Sequence, residues 1–231
     1  MAHHDLVVIG GGPAGYAAAL YGAGAGLDVG LVERHKLGGT CLNVGCIPAK
    51  ELLETAAVFR TISHAEQFGI TTSAPVVDFA KSQVRKQSII DTLVGGLGSL
   101  LKGRKVTVYD GNGSLQADRS VQVRGGSSGD IDLTGDHVLL ATGSAPRTLP
   151  GFDIDGSIVM TSDEFLSLDR IPDSAAIIGG GAIGCEFASM LVDLGSEVTL
   201  LEYMPRLIAG ADIDCSKVIE RSFKKRGMAI K

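Results

Sequence analysis

The sequence lacks a long apolar run and has no excess of basic residues. Within its 231 residues, no stretch approaches the roughly 18 consecutive apolar residues that a membrane span needs. The formal net charge is -5 and the isoelectric point is near 5.5, which argues against nucleic acid or an acidic membrane surface as a partner. Because the first residues lead directly into a predicted strand, we expect no signal peptide.

Cysteine and histidine are both scarce, with four and five residues respectively. So few cysteines are more typical of a reducing cytoplasm than of a secreted disulfide scaffold, and we expect a cytoplasmic protein. We expect the adjacent His3 and His4 to be solvated, and no metal site is predicted. Cys185 lies in a small-residue helical pattern and is expected to be buried, whereas Cys215 lies in a polar segment and is expected near the surface.

The other two cysteines are spaced for one another. Cys41 and Cys46 have four residues between them, with a glycine before the second and a proline shortly after it. This pattern is typical of a redox disulfide on a turn, followed by a helix predicted from about residue 46 to residue 62. A helix N-terminus lowers the pKa of a cysteine, and the thiolate is the species that attacks disulfides or donates to an electron-poor ring. A structural disulfide is the alternative.

A strand–turn–helix pattern precedes the cysteine pair and contains the glycines Gly10, Gly12 and Gly15. The first permits the turn, the second lets the backbone approach a pyrophosphate, and the third allows close packing of helix on strand. A second strand, residues 27–32, leads to Glu33, which is placed to accept hydrogen bonds from a ribose 2′-hydroxyl. Together these features predict a dinucleotide site, and a glycine-rich surface turn would not account for Glu33.

The same pattern occurs a second time, with the same interval between the first glycine and the acidic residue. Its glycines are Gly179, Gly181 and Gly184, and its acidic residue is Glu202. Two dinucleotide sites beside a redox disulfide predict a flavin that exchanges electrons with a nicotinamide. A carboxylate at Glu202 favours NAD because it would repel a 2′-phosphate. NADP is the alternative, since Arg206 follows closely.

The remaining patterns alternate between helix and strand and, with 32 glycines and a hydrophobic content of 45%, predict an α/β fold. Residues 149–153 read as a linker, which divides the chain into domains of residues 1–149 and 150–231. The other elements predicted from periodicity are a helix over 77–101, a turn at 125–129 and strands over 106–109, 114–116, 121–123, 131–133 and 137–141.

Taken together, the motifs resemble those of the pyridine nucleotide–disulfide oxidoreductases, in the family's order and over essentially the whole chain. The most specific segment is 38–50, GGTCLNVGCIPAK. Its final Ala49 and Lys50 are typical of members that oxidise dihydrolipoamide and of mercuric reductases, and Ile47 favours the former. The resemblance implies a three-layer, glutathione-reductase-like fold. A Rossmann-like FAD-binding domain with the redox disulfide would occupy 1–149, and an incomplete Rossmann-like NAD-binding domain would occupy 150–231.

The resemblance also implies roles for individual residues. Cys41 would be the exposed interchange thiol, Cys46 would donate to the flavin, and Lys50 would lie near the flavin ring and pair with Glu186, since a buried lysine needs a carboxylate. An ordinary surface lysine is the alternative for Lys50. The FAD site would comprise Gly10, Gly12, Pro13, Ala14, Gly15, Glu33, Gly39, Thr40, Lys50, Gly113, Thr142, Gly143 and Ser144. The NAD site would comprise Gly179, Gly181, Ala182, Ile183, Gly184, Glu186 and Glu202.

The implied activity is oxidation of dihydrolipoamide to lipoamide, with electrons passing through the Cys41–Cys46 disulfide and FAD to NAD. The substrate would be a lipoyl-type dithiol, such as one on a lipoyl domain of a 2-oxoacid dehydrogenase complex, and the full-length parent would be a homodimer. Members of the family use a histidine base from a C-terminal dimerisation domain, and none of the histidines here lies in a matching context. We therefore expect an inactive fragment that lacks this domain. A related disulfide or mercuric reductase and a silent flavin-binding module are the alternatives.

Overall fold

The structure is a computed structural model and describes residues 2–127 and 129–231. Ser128, which the sequence predicts to lie in a turn, is outside the described residues. The strands are β1 (Ala2–Ile9), β2 (Val29–Glu33), β3 (Thr107–Asp110), β4 (Asn112–Leu115), β5 (Val121–Arg124), β6 (Ile131–Leu140), β7 (Ser174–Ile178), β8 (Glu197–Leu201) and β9 (Ala229–Ile230). The helices are α1 (Pro13–Gly24), α2 (Gly39–Asn43), α3 (Cys46–Ser63), α4 (Phe79–Gly103), α5 (Ser162–Phe165), α6 (Ala182–Asp193) and α7 (Ile213–Lys225), with a 3₁₀ helix at Ala65–Phe68.

The chain forms two compact units whose boundary falls within α3 and α4. The first unit contains the residues up to Pro48 together with Ser88–Ile154, and the second contains Ala49–Gln87 together with Asp155–Lys231. The sequence predicts a single boundary between residues 149 and 150, whereas residues 49–87 belong to the second compact unit. The assignment of 1–149 to FAD and 150–231 to NAD concerns ligands and stays a prediction.

The first unit is built on a six-stranded sheet with the order β3-β2-β1-β6-β5-β4. The strands β3, β2, β1 and β6 are parallel, and β5 and β4 continue the sheet in antiparallel fashion. The sequence predicts two strands where the structure has the single ten-residue β6. Its first residues pair with β5, and from Leu133 onward it pairs with β1. These two pairings explain why the strand continues through the polar residues between the predicted segments.

Strand β1 is covered on both faces, as expected for a strand in the parallel part of a sheet. Val8 packs with Leu31 and with Leu101 of α4. Val7 and Ile9, on the opposite face, pack with residues of β5 and β6. Because successive side chains of a strand point to opposite faces, these three residues anchor both cores and hold the end of β1 in place.

The expectation that His3 and His4 are both solvated is wrong for His4. His3 is exposed, but the ring of His4 is buried, with Nδ1 hydrogen-bonded to Asp28 Oδ2 at 2.9 Å and Nε2 to the Tyr109 hydroxyl at 2.8 Å. Burial, followed by the negative charge of Asp28, raises the pKa of Tyr109. The alternation of faces along β1 separates the two histidines, which a pair of adjacent letters does not reveal.

The second unit contains the parallel sheet β7-β8-β9 and the helices packed on it. Its core joins Leu52 of α3 to Ala188 and Leu191 of α6, and the rings of Phe165 and Phe187 stack with their centroids 4.0 Å apart. These contacts explain why residues 49–87 belong to this unit. Among residues 2–127 and 129–231, no helix combines the length and the apolar character needed to cross a membrane.

Candidate functional site

The turn after β1 requires glycine at two positions. Gly10 has a φ of +108°, and a Cβ placed there would lie 2.2 Å from the carbonyl oxygen of Ala141. A Cβ on Gly15 would lie 1.7 Å from the carbonyl oxygen of Gly10. The Gly10 N–H donates to the carbonyl of Val32 at 2.8 Å, which joins the turn to β2. The first residues of α1 therefore approach β1 more closely than any side chain would permit.

Glu33, at the end of β2, fixes this turn through both carboxylate oxygens. Oε2 accepts a hydrogen bond from the Gly11 N–H at 2.6 Å, and Oε1 accepts one from the His35 N–H at 2.8 Å. Each oxygen retains capacity to accept a further hydrogen bond. The carboxylate is thus held beside the glycine turn, where the sequence predicts contact with a ribose.

A cavity of about 360 Å³ opens beside Glu33 in the first unit. Six residues predicted for FAD line it, namely Gly10, Glu33, Gly113, Thr142, Gly143 and Ser144. Six further lining residues were missed by the sequence reasoning, namely Ile9, Val32, Arg34, Gly111, Asn112 and Ala145. Those flanking Gly10 and Glu33 could have been inferred from the shared edge of parallel strands. Gly111 and Asn112 depend on the pairing of β3 with β2 and of β4 with β5, which no local pattern indicates.

The helix that carries Cys41 begins against the glycine turn. The Gly38 N–H donates to the carbonyl of Gly11 at 2.8 Å, and a Cβ on Gly39 would lie 2.6 Å from the Cα of Gly12. These contacts bring predicted residues of the turn and of α2 together. Pro13 is the first residue of α1, a position that suits proline because its missing N–H would have no helical partner. Ala14 follows Pro13, Thr40 follows Gly39 in α2, and both are exposed.

The two cysteines of the motif lie in the first unit, in the consecutive helices α2 and α3. Cys41 is in α2, and Cys46 is the first residue of α3. The helix predicted from about residue 46 to residue 62 is confirmed as Cys46–Ser63. The sequence predicts Cys41 as the exposed thiol, but Cys46 is exposed and Cys41 is half-buried. Cys46 is a thiol in the structure, and its disulfide with Cys41 stays a prediction.

Between these cysteines, Asn43 stabilises α2. Its side-chain amide donates to the carbonyl of Leu37 at 3.0 Å and to that of Gly39 at 2.9 Å. Sequence reasoning did not select Asn43, since asparagine in a turn is common. Its contacts join the end of α2, the helix that carries Cys41, to Leu37 and Gly39 at the start of the helix.

The second unit repeats the glycine turn with nearly the same geometry. Gly179 has a φ of +107°, and its N–H donates to the carbonyl of Leu201 at 2.8 Å. A Cβ on Gly184 would lie 1.9 Å from the carbonyl oxygen of Gly179. Glu202 Oε2 accepts from the Gly180 N–H at 2.6 Å. The repeat predicted from the amino-acid sequence is therefore also present in the hydrogen bonds of the two turns.

The surroundings of the second turn are more open. Within the part of the chain that the structure describes, a Cβ on Gly179 or Gly181 would meet no heavy atom within 4 Å. Ala182 and Ile183, which begin α6, are exposed. The residues predicted for NAD are thus together around an accessible helix N-terminus.

Near this turn, the thiol of Cys185 is buried and the guanidinium of Arg206 is hydrogen-bonded within the protein. Cys185 is buried as expected, and burial, followed by the charges of Glu202 and Glu186, raises its pKa to about 11. The Arg206 guanidinium donates to the carbonyls of Ala209 and Ala211 and to a serine hydroxyl. Arg206 is the residue that made NADP the alternative to NAD, and its guanidinium is hydrogen-bonded to nearby backbone carbonyls. Cys215 is exposed, as the sequence predicts.

Lys50 and Glu186 form the ion pair that the resemblance implies. Lys50 Nζ of α3 donates to Glu186 Oε1 of α6 at 2.6 Å, within the second unit. The Lys50 side chain is 58% exposed, so the expectation that it is buried is wrong here. An exposed ion pair contributes little to stability, typically about 0–1 kcal/mol. The role of this pair near a flavin stays a prediction.

The residues present fit two dinucleotides. In both units a helix begins at a glycine without a Cβ, where N–H groups can bind a pyrophosphate, and a carboxylate is held at the end of the next strand. In the first unit, Gly113 and residues 142–145 form a second wall of the cavity. Within residues 2–127 and 129–231, no group of three or more His, Cys, Asp or Glu side chains is arranged to hold a metal ion.

Two dinucleotide-type glycine turns, with two cysteines beside the first, are typical of an oxidoreductase that uses two dinucleotide cofactors. The family model described as pyridine nucleotide-disulphide oxidoreductase matches residues 4–231. The chain belongs to this family. Pyridine nucleotide-disulphide oxidoreductases and dihydrolipoyl dehydrogenases use FAD and NAD(H).

Similar proteins are named dihydrolipoyl dehydrogenase. One from Bacillus subtilis is 44% identical over 97% of this chain and 49% of its own length, and one from Chlamydia trachomatis is 42% identical over 97% of this chain and 48% of its own. The chain thus spans about half the length of these curated relatives.

Solved structures share the fold over the whole chain. LpdA from Mycobacterium tuberculosis has a TM-score of 0.90 at 25% identity, and the match covers 100% of this chain and 51% of that one. The Cu(II) complex of the HOCl-induced flavoprotein disulfide reductase RclA from Escherichia coli has a TM-score of 0.84 at 30% identity, and the match covers 100% of this chain and 49% of that one. The glutathione-reductase-like fold predicted from sequence is confirmed.

Proposed function

We propose that this chain supplies the FAD-binding, disulfide and NAD-binding parts of an enzyme that oxidises dihydrolipoamide to lipoamide. The observation that carries the proposal is the contact of α2 with the first glycine turn, where Gly38 donates to Gly11 and Gly39 packs on Gly12. This contact links Cys41 to the turn whose open N–H groups suit a pyrophosphate. The relatives named dihydrolipoyl dehydrogenase support the choice of substrate.

The cysteines would carry out two successive disulfide exchanges. A thiolate of the substrate attacks Cys41 Sγ of the Cys41–Cys46 disulfide, which forms a mixed disulfide and releases Cys46 as a thiolate. The second substrate thiolate attacks the substrate sulfur of this mixed disulfide, which releases Cys41 and the cyclic product. The substrate loses two electrons to the cysteine pair, and its two thiol protons pass to solvent as the attacking thiolates form.

The chain contributes a favourable position for the Cys46 thiolate. Cys46 is the first residue of α3, where unpaired N–H groups and the helix dipole stabilise negative charge. When bound, FAD would accept the two electrons of the dithiol and pass them on as a hydride to NAD. Gly10, Glu33 and Thr142 would hold FAD through the cavity that they line.

We assign the second glycine turn to NAD. Glu202 would accept hydrogen bonds from the adenosine ribose, and a 2′-phosphate there would be repelled. The commitment of Arg206 to backbone carbonyls supports NAD over NADP. Lys50 would stabilise negative charge on the reduced cofactor, with Glu186 positioning its ammonium group.

A mixed-disulfide trap tests the cysteine chemistry in the chain itself. In a Cys46→Ser variant, the Cys41 thiolate would attack the disulfide of lipoamide and form a mixed disulfide that Cys46 cannot displace. Rapid acid quenching would then preserve this adduct, because it protonates the second lipoamide thiol, which would otherwise reclose the ring and release Cys41. We expect a mass increase of one lipoamide, located at Cys41 by peptide mapping. Cys41→Ser should not acquire this adduct, and Cys215→Ser, a control at another exposed thiol, should leave it unchanged in the Cys46→Ser background. Equal adducts with and without Cys41 would contradict the proposal.

The visible absorption spectrum tests the FAD assignment independently. We expect the purified or FAD-reconstituted chain to bind one FAD and to develop a long-wavelength thiolate-to-flavin band after reduction by one equivalent of dithiothreitol. Cys46→Ser should abolish this band while the flavin remains bound. A chain that takes up no FAD would contradict the assignment of the first turn.

A second candidate is the reduction of another disulfide substrate, and the likeness to the flavoprotein disulfide reductase of Escherichia coli favours it. Failure of lipoamide in the trapping experiment together with reaction of a different small disulfide would support this candidate. A silent flavin-binding module would instead bind FAD without any exchange at Cys41. We further propose a cytoplasmic location, a homodimeric full-length parent and a lipoyl domain as the macromolecular partner.

A further inference from the structure

The two nucleotide units correspond residue by residue around their turns. In the first unit, Glu33 Oε1 accepts from the N–H of the residue two positions later. In the second, Glu202 Oε1 accepts from the N–H of Met204 at 2.7 Å, again two positions later. The backbone beyond each acidic residue therefore follows the same course. The position of a residue relative to the turn and the acidic side chain in the first unit therefore predicts the position of its counterpart in the second.

The residue after Glu33 lines the cavity of the first unit. This residue is Arg34, and its counterpart after Glu202 is Tyr203. In a dinucleotide half the order is pyrophosphate, ribose and base, and the glycine turn and the acidic residue correspond to the first two. The next residue along the chain therefore lies on the base side of the ribose.

Among the described residues, Tyr203 belongs to none of the hydrophobic core clusters. Its relative exposure is 100%, the highest among the large apolar and aromatic side chains of the described residues. The hydrogen bond from Met204 to Glu202 fixes the backbone on its C-terminal side, so the ring is presented from a defined turn. An exposed aromatic ring on this backbone suits stacking on a planar base.

We infer that Tyr203 stacks on the adenine ring of the nucleotide bound at the second glycine turn, and that it determines much of the affinity for the adenosine half. The inference rests on the proposed assignment of this turn to NAD. Exposed Ile178 at the end of β7 and Ile183 in the first turn of α6 provide apolar surface at the same edge of the sheet. Stacking on an aromatic side chain is tolerant of the ligand's redox state, so the same contact serves NAD and NADH.

Calorimetric titration of the full chain with ADP-ribose tests the inference without any catalytic activity. Tyr203→Ala should weaken binding about tenfold, in line with the typical contribution of base–aromatic stacking. Tyr203→Phe should bind like the unchanged chain because it retains the ring. Tyr21→Ala is the matched control, since Tyr21 is 84% exposed on α1, away from either acidic residue, and it should bind normally.

A variant that blocks the second glycine turn distinguishes binding there from binding in the first unit. Gly181 has open space where a Cβ would lie and a φ of −73°, so Gly181→Val should fold and yet obstruct the pyrophosphate. The heat of ADP-ribose binding that remains in this variant comes from the first unit and can be subtracted.

Tyrosine fluorescence gives a second measurement, because the sequence has no tryptophan. Stacking should decrease the tyrosine emission of the unchanged chain when ADP-ribose binds, and it should not do so in Tyr203→Ala.

The outcomes distinguish the stacking role of Tyr203 from the assignment of the second glycine turn to NAD. Binding that is lost in Gly181→Val but unaffected by Tyr203→Ala would overturn the role of Tyr203 and leave the second turn as the nucleotide site. Binding that Gly181→Val does not reduce would overturn the assignment of the turn itself. Equal losses in Tyr203→Ala and Tyr203→Phe would also contradict stacking, because the ring is present in the second variant.

Discussion

The glycine turns of the two units have the same hydrogen bonds but different surroundings. Gly10 and Gly179 have φ values of +108° and +107°, and each is hydrogen-bonded to the strand that follows its helix. A Cβ on Gly10 would collide with Ala141, whereas one on Gly179 would meet no heavy atom of the described chain within 4 Å. The motif therefore specifies the turn, and the rest of the unit decides how enclosed the turn becomes.

The ends of the two helices differ in a similar way. Helices α1 and α6 are both 12 residues long, and they end at Gly24 and Asp193 respectively. The Asp193 side chain is only 7% exposed and pairs with Arg60 at 2.5 Å and Arg226 at 2.7 Å. Gly24 lacks any side chain, and a Cβ there would lie 3.1 Å from Arg104 Nη1. The second unit thus uses an ion-pair network at a position where the first has glycine.

The largest expected difference concerns the first glycine of each turn. Gly10→Ala should lower the free energy of unfolding by roughly 3–5 kcal/mol, because backbone strain adds to the collision with Ala141. Gly179→Ala should cost only about 1–3 kcal/mol, from strain alone. Urea denaturation, followed unit by unit through hydrogen exchange, measures both. Equal losses would show that enclosure by Ala141 does not matter.

The next effect concerns the charged end of α6. Asp193→Asn should destabilise the second unit by about 2–4 kcal/mol, because Arg60 and the half-buried Arg226 would lose their carboxylate. The amide keeps the shape of the side chain, so the loss reports charge and not packing. The measurement is the urea midpoint of the second unit.

The control for Asp193 is another aspartate paired with a basic residue. Asp214→Asn removes an exposed pair with Lys217 and should change stability by less than about 1 kcal/mol. A similar loss in both variants would mean that burial of Asp193 contributes nothing. An unchanged midpoint in Asp193→Asn would mean that the network is not stabilising.

Local patterns were sufficient for the elements of each turn. The glycine spacing and the acidic residue indicated both strand–turn–helix units, and the apolar periodicity indicated α3 and α4 to within a few residues. These features depend on neighbours in sequence, such as the approach of Gly15 to Gly10. They were predictable because the physical constraint lies within a short segment.

Features that depend on distant residues were not predictable. The buried state of His4 depends on Asp28 and Tyr109, which β2 and β3 bring alongside it. The grouping of residues 49–87 with the second unit depends on Leu52 packing into the core of α6. In the candidate site, Asn112 reaches the cavity through strand register. Sequence periodicity shows that a face is apolar, but it does not identify the surface that covers it.

A smaller effect is expected at the two acidic residues, and here the units should respond alike. Glu33→Gln and Glu202→Gln each replace one of two accepting oxygens by an NH₂ group that cannot accept from a backbone N–H. Each should cost about 1–2 kcal/mol. Thermal unfolding of the two single variants and the double variant measures this. The losses should add, because in the described part of the chain the hydrogen bonds of each carboxylate lie within its own turn.

The smallest effect on stability concerns Cys185, which has Tyr16 as its counterpart in α1. Burial first, and then the charges of Glu202 and Glu186, raises the pKa of Cys185 to about 11. A thiol with a raised pKa holds its proton more tightly in the folded state. Its contribution to stability is therefore complete below the ordinary thiol pKa and decreases as the pH rises toward 11. Cys185→Ala should reduce this alkaline loss of stability.

Alkylation by iodoacetamide measures the same property directly, since the thiolate is the reactive form. At pH 8 we expect Cys215, which is exposed, to be modified much faster than Cys185. Glu202→Gln should lower the Cys185 pKa slightly and increase its alkylation at pH 10, because one of the two nearby charges is gone. Glu33→Gln, the matching change in the first unit, should leave that rate unchanged. An equal increase in both variants would indicate general loosening of the fold, and the local charge of Glu202 would then not control the thiol.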